Sequence, residues 1–122
     1  MSLQVTEPLV EERLQTAVTL RVEGRYDEAE AELRSILGEE PNNAPARREL
    51  GLVHNFTGKF EESIEELRQA VELEPNYLEA RNDLGLAYSM LAMMDEAKAE
   101  FEAVLELDPA NAVALRHIVY FQ

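Results

Sequence analysis

The feature that most constrains the fold of this chain is a fixed spacing between three prolines. Pro41, Pro75 and Pro109 are each 34 residues from the next. A period of about 20–50 residues is typical of architectures in which stacked repeats bury a continuous core, because one repeat alone cannot cover its own apolar face. By this spacing the chain divides into three repeats, at residues 10–43, 44–77 and 78–111.

Within each repeat the apolar residues follow the period of an amphipathic helix twice, with a short turn between the two helices. Counting from the first residue of each repeat, position eight is where the paired helices must approach closely: Ala17, Gly51 and Gly85. Each repeat proline ends a second helix, since proline cannot donate a backbone hydrogen bond and restricts the residue before it. The predicted helices are residues 10–22, 26–38, 44–56, 60–73, 78–90, 94–107 and 112–121.

The turn between the two helices contains glycine in two of the three repeats. Gly24 and Gly58 can adopt the left-handed conformation that ends many helices at little steric cost. The third turn, residues 91–93, has no glycine, so we expect it to be strained. Residues 1–9 precede the first repeat, and we expect them to form a flexible segment.

The third repeat carries the most specific pattern, in the segments Leu84-Gly85, Ala87-Tyr88, Asp95-Glu96-Ala97 and Leu107-Asp108-Pro109. With these residues the chain resembles the tetratricopeptide repeat family. The resemblance implies an all-α fold: a right-handed α-solenoid of three helical hairpins, with a seventh helix within residues 112–122 that either caps the stack or begins a truncated repeat. The family's usual aromatic residue at position four is replaced by arginine, at Arg13, Arg47 and Arg81.

Composition narrows the classes of partner. The chain has a formal net charge of −14, and phosphate binding needs a basic patch, so we expect neither nucleic acid nor an anionic membrane surface as a partner. There is no cysteine, and no apolar run approaches membrane-spanning length. The first eight residues lack the basic head and apolar stretch of a secretory signal, which favours a cytoplasmic protein; the alternative is a leader that has been removed.

No pattern typical of a catalytic or metal site occurs in the sequence. His54 and His117 lie in different repeats, and Leu20 and Tyr88 fill the position of His54 elsewhere, which favours a packed core histidine over a ligand or base. There is no Gly-rich phosphate loop and no His-Glu-x-x-His motif. We therefore expect no enzyme, no cofactor and no metal.

The resemblance implies that the inner faces of the first helices line a concave groove that binds a peptide or an amphipathic helix. The expected groove residues are Leu14, Val18, Arg21, Val22, Arg48, Leu52, Asn55, Phe56, Asn82, Leu86, Ser89, Met90, Arg116 and Tyr120. Positions nine and thirteen are apolar, which favours a protein partner with spaced apolar anchors, and the three arginines favour one or two acids in it. The alternative is that neighbouring helices partly cover these side chains.

Some members of the family clamp the terminal carboxylate of a chaperone tail with lysine, arginine and asparagine side chains. The matching positions here are Leu14, Val18, Glu49, Glu79 and Asp83. Apolar and acidic side chains do not attract a carboxylate, so we do not expect this kind of binding.

The last helix suggests a function of another class. We expect Ile118 and Phe121 to pack on the third repeat, which leaves Leu115 and Val119 on the face where a further second helix would lie. This apolar face predicts self-association, as a weak homodimer or a homo-oligomeric scaffold. A further alternative is that the repeats are the recognition arm of a larger protein.

Overall fold

The computed structural model describes residues 9–122, which form seven α-helices and one short 3-10 helix. The α-helices are α1 (Val10–Val22), α2 (Tyr26–Glu39), α3 (Ala44–Phe56), α4 (Phe60–Leu73), α5 (Leu78–Met90), α6 (Met94–Leu107) and α7 (Ala112–Ile118). The first six agree with the prediction to within one residue. The seventh is shorter, because Val119–Phe121 is a 3-10 helix. Of the predicted flexible segment, residues 1–8 lie outside the described residues.

Short turns join the helices into three hairpins that stack in sequence order. Each helix packs on its neighbours in the chain, and the first helices also meet across repeats, α1 with α3 and α3 with α5. The fold is therefore an all-α helical-repeat solenoid, as the sequence predicts. None of the helices between residues 9 and 122 combines the length and the apolar character that a bilayer crossing requires.

Glycine at position eight allows the two helices of a hairpin to lie close together. A β-carbon built at Gly51 would be 2.7 Å from Cγ of Leu67, and one at Gly85 would be 2.7 Å from Cζ of Phe101. Leu67 and Phe101 are fully buried, so neither can move aside into solvent. The close approach expected at this position is confirmed.

Arginine at position four links the two helices of each hairpin. In every repeat its guanidinium donates at 3.0 Å to a glutamate 19 residues later: Arg13 to Glu32, Arg47 to Glu66 and Arg81 to Glu100. Arg47 and Arg81 also donate to the carbonyl oxygens of Pro41 and Pro75, which fixes the loop before each first helix. The substitution of arginine for an aromatic residue thus replaces an apolar contact with an ion pair inside the hairpin.

The three turns share one backbone conformation but not one residue type. Gly24 and Gly58 have φ of 79° and 78°, and Ala92 has φ of 58°. A left-handed residue with a β-carbon costs about 1–2 kcal/mol. The expected strain in the third turn is confirmed, and it is located at Ala92.

The seventh helix packs on the third hairpin. Ile118 is buried in the core of the third hairpin, and the ring of Phe121 lies 6.1 Å from that of Phe101. Asn111 begins the helix, since its Oδ1 accepts a hydrogen bond from the backbone N–H of Ala114 at 3.0 Å. The predicted packing of Ile118 and Phe121 is confirmed.

Candidate functional site

Three exposed apolar side chains stand at the ends of the first helices. Val22, Phe56 and Met90 are the last residues of α1, α3 and α5, and they are 72%, 57% and 60% exposed. They hold the same position in successive repeats, and the first helices contact one another, so the three side chains form a row. We call this row the apolar column.

Position nine lies one helical turn earlier and is more covered. Val18, Leu52 and Leu86 are half-buried, and Leu86 packs against the core of the third hairpin. Neighbouring helices therefore partly cover the side chains at position nine, whereas those of the apolar column remain exposed. Tyr120, which we expect to extend position nine, is exposed in the 3-10 helix with its ring 6.5 Å from that of His117.

Phe56 is held in place by the first repeat. Its ring stacks on Tyr26, with the centroids 5.9 Å apart and 11° between the ring planes. The guanidinium carbon of Arg21 lies 5.9 Å from the Phe56 centroid. A fixed aromatic side chain loses little conformational entropy on binding, so Phe56 is suited to anchor a partner.

Two of the three groove arginines are paired with acids of the next repeat. Arg21 Nε donates to Glu49 Oε2 at 2.8 Å, and Arg48 Nε donates to Asp83 Oδ2 at 2.6 Å. Arg48 Nη1 also lies 3.9 Å from Glu49 Oε1, so the four side chains form a continuous ion-pair row across α1, α3 and α5. This corrects the expectation that Arg21 and Arg48 offer free positive charge to a partner.

Burial makes the members of this row depend on one another. Burial raises the pKa of Asp83, although the neighbouring Arg48 favours its charged form. Burial likewise opposes the charge on Arg48, but attraction by Asp83 prevails and the pKa of Arg48 is raised. Removing either partner would leave the other partly buried and without its counter-charge.

Most of the remaining polar candidates are turned into the protein. Asn82 is buried, and its Nδ2 donates to Asn111 Oδ1 at 3.1 Å. The Ser89 hydroxyl donates to the Gly85 carbonyl oxygen of its own helix at 3.0 Å, and Asn55 is half-buried. Contrary to expectation, Asn82 helps to hold α7 in place, because Asn111 begins that helix. The hydroxyl of Ser89 is already hydrogen-bonded within α5.

Two further candidates, Leu14 and Arg116, lie outside the ion-pair row. Leu14 packs against the core of the first hairpin and lines a cavity of about 580 Å³ together with Asn43 and Pro45. Arg116 is exposed, and no acid of the described chain lies within ion-pair distance of it. It is therefore the one expected groove arginine that keeps a free charge within residues 9–122.

The repeated part of the chain matches models of known protein families. Family models described as tetratricopeptide repeat match residues 20–67 and 78–111, and one described as TPR repeat matches residues 57–91. Together they cover residues 20–111 without a gap. The chain belongs to the tetratricopeptide repeat (TPR) family.

Solved structures, two of them described as TPR domains, superpose on most of the chain. The first TPR of Spaghetti (RPAP3), bound to the HSP90 peptide SRMEEVD, is 24% identical with a TM-score of 0.88, over 98% of this chain and 94% of that one. The second TPR domain of human RPAP3, in complex with the HSP70 peptide SGPTIEEVD, is 26% identical with a TM-score of 0.83, over 88% and 90%. MamA is 25% identical with a TM-score of 0.84, over 89% and 64%. No curated protein sequence matches the chain.

In the 34-residue register, α7 occupies the position of a first helix. Leu115, on α7, is 46% exposed, and Val119, the first residue of the 3-10 helix, is 57% exposed. These are the two residues that we expect to mediate self-association.

The two histidines of this TPR domain have structural surroundings. His54 is buried with Nδ1 3.6 Å from Glu30 Oε1, and burial lowers its pKa. His117 stacks on the Phe101 ring at 5.3 Å. The interpretation of His54 as a packed core histidine is confirmed. Between residues 9 and 122, no three His, Asp or Glu side chains gather in a way that could hold a metal ion.

Sequence reasoning missed the partners of the groove residues. Tyr26 supports Phe56, and Glu49 and Asp83 neutralise the arginines. A signal was present, because Glu49 and Asp83 both occupy position six of their repeats. In this solenoid, position six of one repeat faces positions five and twelve of the repeat before it.

Proposed function

We propose that the inner face of this TPR domain binds a peptide or an amphipathic helix of another protein, with the apolar column as its anchor site. The observation that carries the proposal is the exposure of Val22, Phe56 and Met90 at one repeated position. Grouped exposed apolar side chains on a folded protein usually mark an interaction surface. The domain has a binding role in this proposal and catalyses no reaction.

Two similar TPR structures support a peptide as the partner, since each is bound to a chaperone peptide that ends in Glu-Glu-Val-Asp. The mode of binding proposed for this chain is different. Glu49 and Asp83 stand where a carboxylate clamp needs cations or amides, and Arg21 and Arg48 already neutralise them. We therefore propose recognition by apolar anchors rather than by capture of a terminal carboxylate.

Calorimetry with a partner peptide captured from a lysate tests the proposal. Phe56→Ala should weaken binding by roughly 2 kcal/mol, because buried aromatic anchors supply most of the binding energy at such sites. Leu107→Ala is the matched control, since Leu107 is an exposed apolar residue at the end of a second helix. If both variants bind as the wild type does, or both lose the same affinity, the groove is not the site.

Self-association through α7 is a second candidate. Leu115 on α7 and Val119 at the start of the 3-10 helix are exposed, and an uncovered apolar face favours pairing with another copy. Sedimentation equilibrium should show a weak dimer that Leu115→Lys abolishes and Phe56→Ala leaves unchanged. A strict monomer at high concentration would contradict this candidate and leave the groove proposal intact.

A further inference from the structure

We propose that the groove takes a basic amphipathic helix, with apolar residues about seven positions apart and lysine or arginine between them. This inference rests on the groove function proposed above and adds the charge and the spacing of the partner. It reverses the sequence-based expectation of one or two acids in the partner. It follows from the charge that remains on the inner face, and in the turns beside it, once the ion pairs of the fold are complete.

Along the first three repeats the inner face offers little positive charge to an acidic partner; Arg116, which lies outside the ion-pair row, is on α7. Arg21 and Arg48 are only 18% and 25% exposed, and each donates to a carboxylate of the next repeat. A new acid would compete with Glu49 and Asp83 for guanidinium groups that already make hydrogen bonds at 2.8 and 2.6 Å. Partner acids would therefore meet neutralised arginines, in a chain with a net charge of −14.

Negative charge is concentrated beside the apolar column. The three turns and the first residues of α2, α4 and α6 carry seven exposed acids against two cations, Arg25 and Lys59. The acids are Glu23, Asp27, Glu28, Glu61, Glu62, Asp95 and Glu96. Arg25 is itself paired with Glu28 at 2.6 Å, so most of these carboxylates are free to attract a cationic partner.

In the first repeat the acids lie on the same surface as Phe56. Asp27 and Glu28 line a depression of about 310 Å³ together with Tyr26, Thr57 and Arg25, the partner of Glu28. Tyr26 is the residue on which Phe56 stacks, and Thr57 follows Phe56 in the chain. A ligand that covers Phe56 would therefore lie beside these carboxylates, and lysines that flank its apolar anchor could reach them.

The repeat spacing sets the spacing of the anchors. First helices that pack on one another lie about 8–10 Å apart, and this is the expected step between Val22, Phe56 and Met90. Seven residues of an α-helix rise about 10.5 Å. One apolar residue per heptad on the partner would therefore meet one residue of the apolar column per repeat.

Three synthetic helices of about 21 residues test the inference. They share leucines in a heptad pattern and differ only in the flanking positions, which are lysine, glutamine or glutamate. At low salt the lysine helix should bind roughly tenfold tighter than the glutamine helix, and the glutamate helix should bind most weakly, with the differences shrinking as salt is raised. Equal binding of all three, or a preference for glutamate, would overturn the inference.

Charge-matched variants distinguish attraction by the carboxylates beside the apolar column from attraction by the net negative charge of the chain. Glu61→Gln with Glu62→Gln removes two carboxylates beside the column, whereas Glu102→Gln with Glu106→Gln removes two exposed carboxylates of α6 away from the turns. The first pair should lower affinity for the lysine helix several-fold more than the second. Equal losses would show attraction by net charge alone and overturn the inference.

Phe56→Ala distinguishes failure of the inference from failure of the groove function. If the glutamine helix binds and Phe56→Ala weakens it, the groove stands whatever the charge preference proves to be. If Phe56→Ala changes the binding of no helix, or no helix binds, the groove function itself is contradicted. If Phe56→Ala instead dissociates a dimer in sedimentation, the occupant is a second copy, and the basic-helix inference is wrong.

Discussion

The second and third repeats have first helices of 13 residues and second helices of 14, yet they meet the same structural demands with different side chains. At position eight, Gly51 faces Leu67 and Gly85 faces Phe101. In the turn, one repeat has Gly58 where the other has Ala92. The 34-residue spacing therefore fixes the positions at which a close helix contact and a left-handed turn residue are required. The side chains at those positions decide how favourable the contact and the turn are.

The position-eight glycine offers the largest test of this comparison. Gly85→Leu should destabilise the whole stack by roughly 1–3 kcal/mol or more, because the new side chain would overlap the buried ring of Phe101. Thermal unfolding followed by circular dichroism measures the effect. Gly38→Ala is the control, since a β-carbon there meets no atom within 4 Å, and it should raise stability slightly. An unchanged midpoint for Gly85→Leu would mean that the helices are not paired as described.

The position-four ion pair should give the next largest effect. Arg81→Met leaves Glu100 without its partner, and burial already raises the pKa of that carboxyl. The expected loss is about 1–3 kcal/mol, and Arg47→Met should cost a similar amount in the second repeat. A chemical-unfolding cycle that adds Glu100→Met should recover much of the loss. Additive losses in the double variant would show that the pair is not coupled.

His54 introduces a pH dependence that Tyr88 does not give the third repeat. Burial lowers the pKa of His54 below its ordinary 6.5. Just below that pH the unfolded chain therefore binds a proton at His54 more readily than the folded chain does. Its contribution to stability is present above pH 6.5 and is lost as the pH falls, at up to about 1.4 kcal/mol per pH unit. The free energy of unfolding of His54→Leu should therefore fall less than that of the wild type between pH 7 and 5.5. Parallel pH profiles would contradict this.

The turn residue should give the smallest effect. Ala92→Gly removes a β-carbon from a left-handed residue and should stabilise the fold by about 0.5–1 kcal/mol. The reverse change in the second repeat, Gly58→Ala, should cost a similar amount. Urea unfolding of the two variants side by side measures both, and loss of stability in Ala92→Gly would show that the turn is not strained.

Much of the fold could be predicted because each prediction used one local rule. The spacing of Pro41, Pro75 and Pro109 gave the repeat length, and periodicity gave six helices to within one residue. The missing glycine gave the strained turn at Ala92. These features depend on backbone sterics and on the period of a helix, which are visible in a single sequence.

The site was harder to predict, because exposure depends on contacts between repeats. Positions nine and thirteen are equally apolar in the sequence, yet Leu52 is half-buried and Phe56 is open. Likewise Arg48 looks like a free cation until Asp83, 35 residues later, is placed 2.6 Å away. Such pairs depend on the angle between one hairpin and the next. The periodicity within one hairpin does not determine that angle.

The central claim is that the apolar column is where a partner binds, and NMR titration of the labelled domain tests it most directly. Addition of a captured partner peptide, or of the lysine helix, should perturb the signals of Val22, Phe56 and Met90 first and most strongly. Side chains on the second helices, such as Glu65 and Glu102, should change little. Perturbations centred on those second helices, with the apolar column unchanged, would contradict the account.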